Sequence, residues 1–340
     1  MMNFKRLISC IDAHCAGEPV RIVTSGFPPI YGKTILEKRE YVLNNYDHLR
    51  KLIMLEPRGH SGMYGCILVS PVTPDGDIGV LFTHNEGLST MCGHATIGVT
   101  KVAIETGIVN SQEGENVLRI DSPAGRVTAY AQVKEGRVKN VKFHNVPSFV
   151  LHEDISIKID GGKKVNADIV FCGAFYVYVK SEEIGLDIEP GIVQHLVELG
   201  MKIKYKVIDS LNVVHPLEKN LNSIYGTIFT GPEEKHDNKI ISRNLCIFAD
   251  SQIDRSPTGT GTGGRVALLS HKGLFKKGMT LVNKSIINTV FEGRIASFTK
   301  VQNIPAVVTE VSGNANISGF NQLVLEPDDP LPEGFRLIGG

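Results

Sequence analysis

Met91-Cys92-Gly93-His94-Ala95-Thr96-Ile97-Gly98 and Ser256-Pro257-Thr258-Gly259-Thr260-Gly261-Thr262-Gly263-Gly264 hold the same place in two similar stretches of this chain. Each follows a short β-type run, Val80-Leu81-Phe82-Thr83 in the first and Ile247-Phe248-Ala249 in the second. Each precedes an apolar run that stops at a glycine. Phe82 lies ten residues before Cys92 (92 − 82) and Phe248 ten before Thr258 (258 − 248). Gly107 lies fifteen after Cys92 (107 − 92) and Gly273 fifteen after Thr258 (273 − 258). A thiol in one copy therefore aligns with a hydroxyl in the other.

The similarity continues on both sides of the turns. Tyr64-Gly65-Cys66-Ile67-Leu68 matches Tyr225-Gly226-Thr227-Ile228-Phe229 at a lag of 161 (225 − 64). Gly125-Arg126-Val127-Thr128-Ala129-Tyr130 matches Gly293-Arg294-Ile295-Ala296-Ser297-Phe298 at a lag of 168 (293 − 125). The turns sit between, at 166 (258 − 92). Each match alone is the kind that chance supplies. Three in order at nearly one lag point to duplication, with two similar lobes of strands around a buried helix.

The length of 340 residues suits two domains of ordinary size, each able to bury a core. A first lobe over 1–146 carries the Cys92 turn, and a second over 147–310 carries the Thr258 turn. Residues 311–340 have no counterpart in the first repeat and are expected to pack back on the first lobe. Strand-like runs are short and many, separated by turn signals such as Pro74-Asp75-Gly76. Three helices are expected. One follows Cys92 and stops at Gly107, apolar on most sides and hence buried. Another covers the stretch around Ile192 to Leu199 and ends at Gly200, and the third follows Thr258 and stops at Gly273.

Lys plus Arg and Asp plus Glu number 36 each, so no net charge draws the chain to nucleic acid or anionic membranes. No apolar run approaches the roughly 18 residues that a membrane-spanning helix needs. Lys5 and Arg6 precede an apolar stretch too brief for a signal segment, broken by Asp12 and His14. Six cysteines are too sparse for a disulfide scaffold, and a reducing, cytoplasmic compartment fits. Cys66, Cys172 and Cys246 lie in apolar strand-like runs and read as core. Cys10, His14 and Cys15 offer at most half a metal site with no matching pair elsewhere, so no metal is expected.

A helix start presents unpartnered N–H groups and positive potential. It attracts a carboxylate and favours a thiolate. Cys92 stands at such a start beside Gly93 and His94. Most cysteines are small buried hydrophobes; the flanking residues and the repeat favour a chemical role here. Gly259 to Gly264 satisfies G-x-G-x-x-G, yet no acidic residue occurs between Gly264 and Glu292 and no βαβ opening precedes it. An anion nest for a substrate carboxylate is the better account. Asp254, four residues before Thr258 (258 − 254), can accept from a cationic amine, although turn carboxylates more often cap or form Asx-turns.

Several stretches together resemble the proline racemase family, which also holds hydroxyproline epimerases and trans-3-hydroxy-L-proline dehydratases. They are Asp12-Ala13-His14 with Gly17-Glu18-Pro19, Glu56-Pro57-Arg58-Gly59-His60, Met91-Cys92-Gly93-His94, Asp254-Arg255-Ser256-Pro257 and Gly259-Thr260-Gly261-Thr262. The resemblance covers nearly the whole chain. It implies an α/β (α+β), diaminopimelate epimerase-like fold: two pseudo-symmetric lobes, each a curled, mostly antiparallel sheet around a central helix. It also implies a site between the lobes and no cofactor. A homodimer is common in families of this shape. The family's racemases and epimerases carry a cysteine in each turn, and Cys92 matches the first. Thr258 stands at the second, as in the dehydratases. By the same resemblance Cys92 and Thr258 occupy the catalytic positions, and Gly93, His94, Asp254, Gly259 and Thr260 match the substrate-holding ones. His94 and Asp254 would flank the ring nitrogen, and backbone N–H groups would hold the carboxylate.

Inverting a stereocentre needs a base on one face and an acid on the other. A thiol with a reference pKa near ~8.5 serves as either, whereas a threonine hydroxyl is far too weak an acid. One face is then silent. In trans-3-hydroxy-L-proline the hydroxyl and the α-hydrogen share the face opposite the carboxylate. Cys92 is therefore expected to remove the α-proton in a syn elimination, making the chain a hydro-lyase that forms Δ1-pyrroline-2-carboxylate. The alternative is a hydroxyproline 2-epimerase or proline racemase working with Thr258 and water. A non-catalytic amino-acid-binding protein is a third class, which has no need of the thiol.

Overall fold

The computed structural model describes residues 4–159 and 162–337. It divides into two compact units, one of residues up to Val141 together with Asn314 onward, the other Lys142–Gly313. In the first, β1 (Arg6–Cys15) turns through Ala16 and Gly17, both at positive φ, into β2 (Glu18–Ser25). Helices α1 (Ile35–Asn45) and α2 (Asp47–Met54) follow, and the Thr34 hydroxyl caps α1 by accepting from Glu37 N–H at 3.1 Å. Then come β3 (Tyr64–Val69), β4 (Ile78–His84), β5 (Leu88–Ser89), α3 (Gly93–Glu105), β6 (Gly114–Ser122) and β7 (Gly125–Lys134). The strand β8 (Arg137–His144) carries the chain into the second unit.

The second unit opens with β9 (Phe149–Lys158), β10 (Lys164–Phe171) and β11 (Phe175–Lys180), then the short α4 (Ser181–Ile184) and α5 (Val193–Ser210). It continues through β12 (Ile224–Thr230), β13 (Glu234–His236), β14 (Lys239–Phe248), β15 (Gln252–Asp254) and α6 (Gly259–His271). It closes with β16 (Thr280–Lys284), β17 (Val290–Val301) and β18 (Ile304–Gly313). The chain then returns to the first unit as β19 (Ala315–Leu325).

The two sheets share one pairing plan. In the first the order is β19-β1-β2-β3-β4-β6-β7, with β2/β3 and β4/β6 parallel and the other neighbours antiparallel. In the second it is β9-β10-β11-β12-β14-β16-β17, with β11/β12 and β14/β16 parallel. A parallel pair needs a crossover, and a helix supplies each one. Helices α1 and α2 bridge β2 to β3, α3 bridges β4 to β6, α4 and α5 bridge β11 to β12, and α6 bridges β14 to β16. β19 holds beside β1 the place that β9 holds beside β10.

Helices α3 and α6 have 13 residues each and start 166 positions apart (259 − 93). Every residue of α3 from Gly93 to Ile104 is buried, as is every residue of α6 from Gly259 to Leu269. α3 packs on β1, β2, β3, β7 and β19, so the sheet curls about it. Gly107 and Gly273, at φ +74° and +71°, end the two helices in left-handed geometry. Gly200 behaves otherwise. The sequence reading ends a helix there, but α5 runs on to Ser210. A Cβ at Gly200 would stand 3.0–3.2 Å from the side chain of Ile247, and the Gly200 carbonyl accepts from Thr227 Oγ1 at 2.8 Å. That glycine lets the helix lie close on β14 instead of stopping it. The helices α1 and α2 had no counterpart in the sequence reading.

Candidate active site

In the first unit, Cys92 is the N-cap of α3, with extended backbone at φ −147° and ψ 119°. Its Sγ accepts from Ala95 N–H at 3.4 Å and lies 3.2 Å from His94 Nδ1. Its carbonyl accepts from Thr96 Oγ1 at 2.7 Å. The backbone donor and the helix start favour negative charge on this sulfur, as does the imidazole when its Nδ1 carries a proton. Cys92 and His94 are buried, at 6% and 3% exposure. Gly93, between them, is the first helical residue.

The His94 ring meets the edge of Tyr64, with centroids 4.7 Å apart. Tyr64 in turn hydrogen-bonds Ser89 through its hydroxyl and stacks on His84 at 6.0 Å. In sequence Tyr64 stands out only as a member of the repeat, and nothing local connects it to the Cys92 turn. His84 Nδ1 accepts from Glu86 N–H at 3.2 Å, and His60, on the surface, places Nδ1 2.8 Å from the Ser61 carbonyl.

In the second unit, Asp254 ends β15 and its Oδ1 accepts from Ser256 N–H at 2.8 Å. Ser256 Oγ then accepts from Thr258 N–H at 3.1 Å. Thr258 is the N-cap of α6 with φ 63° and ψ 109°. For a β-branched residue this backbone is strained by roughly 1–3 kcal/mol, so its surroundings must hold it. Thr262 N–H donates to the Thr258 carbonyl at 2.6 Å, and Asn283 Nδ2 reaches both Thr262 Oγ1 at 2.8 Å and the Pro257 carbonyl at 3.3 Å. The Thr258 hydroxyl makes no cap bond and, among the described residues, has no hydrogen-bond partner although buried.

Gly259 and Thr260 form the first turn of α6. Thr260 Oγ1 hydrogen-bonds Tyr176 Oη at 2.8 Å, and Tyr178 Oη donates to the Gly261 carbonyl at 2.8 Å. Burial pushes both phenols well above their ordinary pKa, so they remain neutral donors. The glycine run has a packing reason that its spacing did not reveal. A Cβ at Gly261 would meet Ile228 at 2.9 Å, and one at Gly263 would meet Cys172 Sγ at 2.9 Å and Thr309 Oγ1 at 2.6 Å. One at Gly264 would run into the Tyr178 hydroxyl.

The structure thus gathers Cys92, Gly93 and His94 at the tip of α3, and Asp254, Thr258, Gly259 and Thr260 at the tip of α6. The other motif stretches serve as struts. Arg21 pairs with Asp12 at 2.8 Å and donates to the carbonyls of Ile53 and Arg58 at 2.8 and 2.6 Å. Arg58 donates to the Val324 carbonyl at 2.8 Å and pairs with Asp329. Cys66 and Cys246 are core residues, and burial pushes the Cys172 thiol up to about 11. Among the described residues no group of three or more His, Cys, Asp or Glu side chains could hold a metal, and no helix is long and apolar enough to cross a membrane.

The family described as Proline racemase matches residues 10–336. A trans-3-hydroxy-L-proline dehydratase of Bacillus cereus is 47% identical over 336 residues, covering 99% of this chain and 100% of that protein. A 3-hydroxyproline 2-epimerase of Burkholderia multivorans is 41% identical over 334 residues, covering 98% and 99%. Among solved structures, a hydroxyproline epimerase from Agrobacterium vitis with bound trans-4-hydroxy-L-proline superposes with a TM-score of 0.91 at 30% identity, covering 99% of this chain and 97% of that one. The fold is of the diaminopimelate epimerase-like class that the resemblance implies. Sequence and structure agree across nearly the full length, and the chain belongs to the proline racemase family.

Proposed function

We propose that this protein dehydrates trans-3-hydroxy-L-proline to Δ1-pyrroline-2-carboxylate without a cofactor. The observation that carries the reading is the pair of helix tips. One offers a thiol supplied with a backbone N–H and an imidazole, the other a threonine whose hydroxyl cannot exchange protons at neutral pH. The dehydratase name of the Bacillus cereus relative supports the same choice.

In this mechanism the Cys92 thiolate removes the α-proton. The C–H electron pair becomes the Cα=Cβ double bond as the C3–O bond breaks. The departing hydroxide takes up a proton on the same face, from the newly formed thiol or a neighbouring acid, and leaves as water. The enamine then shifts a proton from nitrogen to C3 and becomes the cyclic imine. Asp254 accepts from the substrate ammonium, with His94 on the other side of the ring nitrogen, which acidifies the α-carbon. N–H groups at Gly93, Gly259 and Thr260 hold the carboxylate and stabilise charge growing there. Thr258 occupies the catalytic position of the silent face. A reducing cytoplasm suits a working thiol and five further unbridged cysteines.

The test is purified protein with each hydroxyproline isomer and proline, scored separately for imine formation and for inversion. Cys92→Ser should lower water loss by about two to four orders of magnitude. Wild-type turnover in that variant would sink the base assignment. The 41% identity to the Burkholderia multivorans epimerase favours a second reading, 2-epimerisation. In deuterated water an epimerase returns α-deuterated hydroxyproline of inverted configuration, whereas the dehydratase yields only the pyrroline.

A further inference from the structure

Helix α1 buries Ile35, Lys38 and Val42, one residue per turn on the face that packs against the core. A lysine at such a position is costly unless its ammonium is satisfied. Lys38 is only 7% exposed, and the one hydrogen bond its ammonium makes among the described residues goes to the Ser70 carbonyl at 2.7 Å. An ammonium has three N–H groups, so two remain. Burial holds its pKa below the ordinary lysine value, with the field of Asp121 opposing. Asp121 itself is committed elsewhere. Its oxygens accept from Val72 N–H and Thr73 N–H at 2.8 and 2.9 Å and from Arg126 Nε at 2.9 Å.

Lys38 borders a crevice of about 230 Å³. The crevice has a topological cause. β2 and β3 run parallel and pair from Arg21↔Gly65 to Val23↔Ile67, after which they part. Thr24, Ser25 and Ser70 bring hydroxyl groups to the crevice lining, and Phe27, Pro28 and Ile30 bring apolar surface. It lies at the opposite end of β3 from Tyr64, the residue that meets His94, about 16 Å along the strand at the usual rise.

We propose that this crevice is a binding site for a short-chain aliphatic carboxylate, with the carboxylate on Lys38 and the chain against Phe27 and Ile30. A carboxylate accepts the remaining N–H groups and neutralises the buried charge. The apolar side favours it over a fully hydrated inorganic anion. The site is separate from the tip of α3 and does not depend on which imino acid the enzyme turns over.

Calorimetric titration with butyrate tests it. Wild-type protein should bind, and Lys38→Met should bind at least about ten-fold more weakly, the loss expected for one charge-assisted hydrogen bond. Equal affinity in the variant, or no binding to wild type, overturns the proposal. A second measurement needs no variant. Acetic anhydride labelling of the wild-type protein, read by mass spectrometry, should show butyrate slowing modification of Lys38 relative to the surface lysines. An unchanged rate overturns the proposal, as does protection by inorganic phosphate in the absence of protection by butyrate.

Discussion

Gly264→Ala tests how the tip of α6 is held. The added Cβ would collide with the Tyr178 hydroxyl and stand 3.1 Å from its Cζ and 3.3 Å from Cys172 Cβ. Tyr178 is 2% exposed and its hydroxyl donates to the Gly261 carbonyl at 2.8 Å, so moving the ring away breaks a buried hydrogen bond. Overpacking of this kind costs about 1–3 kcal/mol. Displacing the hydroxyl adds about 1 kcal/mol for the lost buried hydrogen bond. The expected cost is therefore about 2–4 kcal/mol. Tyr178→Phe alone loses the hydrogen bond but keeps the ring, for about 1 kcal/mol. In the double variant the colliding atom is gone, so its cost should fall short of the sum of the two single-variant costs by about 1 kcal/mol or more. Urea unfolding of the four proteins measures this. Additive costs, or a Gly264→Ala protein within about 0.5 kcal/mol of wild type, would refute the claim that the glycine is there to admit Tyr178.

Burial works against the charge of Asp121, but hydrogen bonds from Thr73 and Val72 N–H and from Arg126 outweigh it and hold its pKa below the ordinary carboxylate range. A depressed folded-state pKa stabilises the fold above the unfolded value of about 3.9 and ceases to do so as pH falls through the folded value. Asp121→Asn should thus cost about 1–3 kcal/mol at pH 7, with the gap to wild type closing below about pH 3.9 in urea unfolding at several pH values. A gap independent of pH would show that charge is not the cause. Thr258→Cys should add slow inversion of the α-carbon to water loss, read as D-configured product by chiral chromatography. Unaltered dehydration with no inversion at all would contradict the argument from two faces.

What the sequence exposed and what it hid divide along physical lines. The tips of α3 and α6 and their glycine stops were legible because caps and left-handed C-terminal glycines are local signals, and the repeat presented each one twice. The two-lobe plan followed from the same repeat, and the fold class from the family resemblance. Gly200 was misread because a glycine that admits a neighbouring strand looks in sequence like one that ends a helix. Only Ile247 on β14, 47 positions away (247 − 200), reveals the difference. Tyr64, Tyr176, Tyr178 and Asn283 were invisible as supports of the two turns for the same reason: each acts across the sheet on residues remote in the chain. Tyr64 and Tyr225 recur at matched positions of the repeat, a signal that could have marked Tyr64.

The two helix tips differ in backbone as well as in side chain. The strands on either side pair alike and the helices are equal in length, yet Cys92 enters α3 from extended backbone and Thr258 enters α6 at positive φ. From extended backbone the Cys92 sulfur folds back onto the Ala95 N–H, the usual posture of a cap, and that bond favours thiolate. Thr258 spends its own N–H on Ser256, whose N–H is held by Asp254, and its hydroxyl makes no cap bond to the helix. Asp254 therefore shapes the second turn in addition to any hold on a substrate amine. A thiol placed on that backbone would lack the bond that favours charge on Cys92, so restoring a second cysteine restores the atom but not its activation. On the proposed mechanism the chain path around Thr258 reinforces the single working face, and for this reason inversion in Thr258→Cys should be slow.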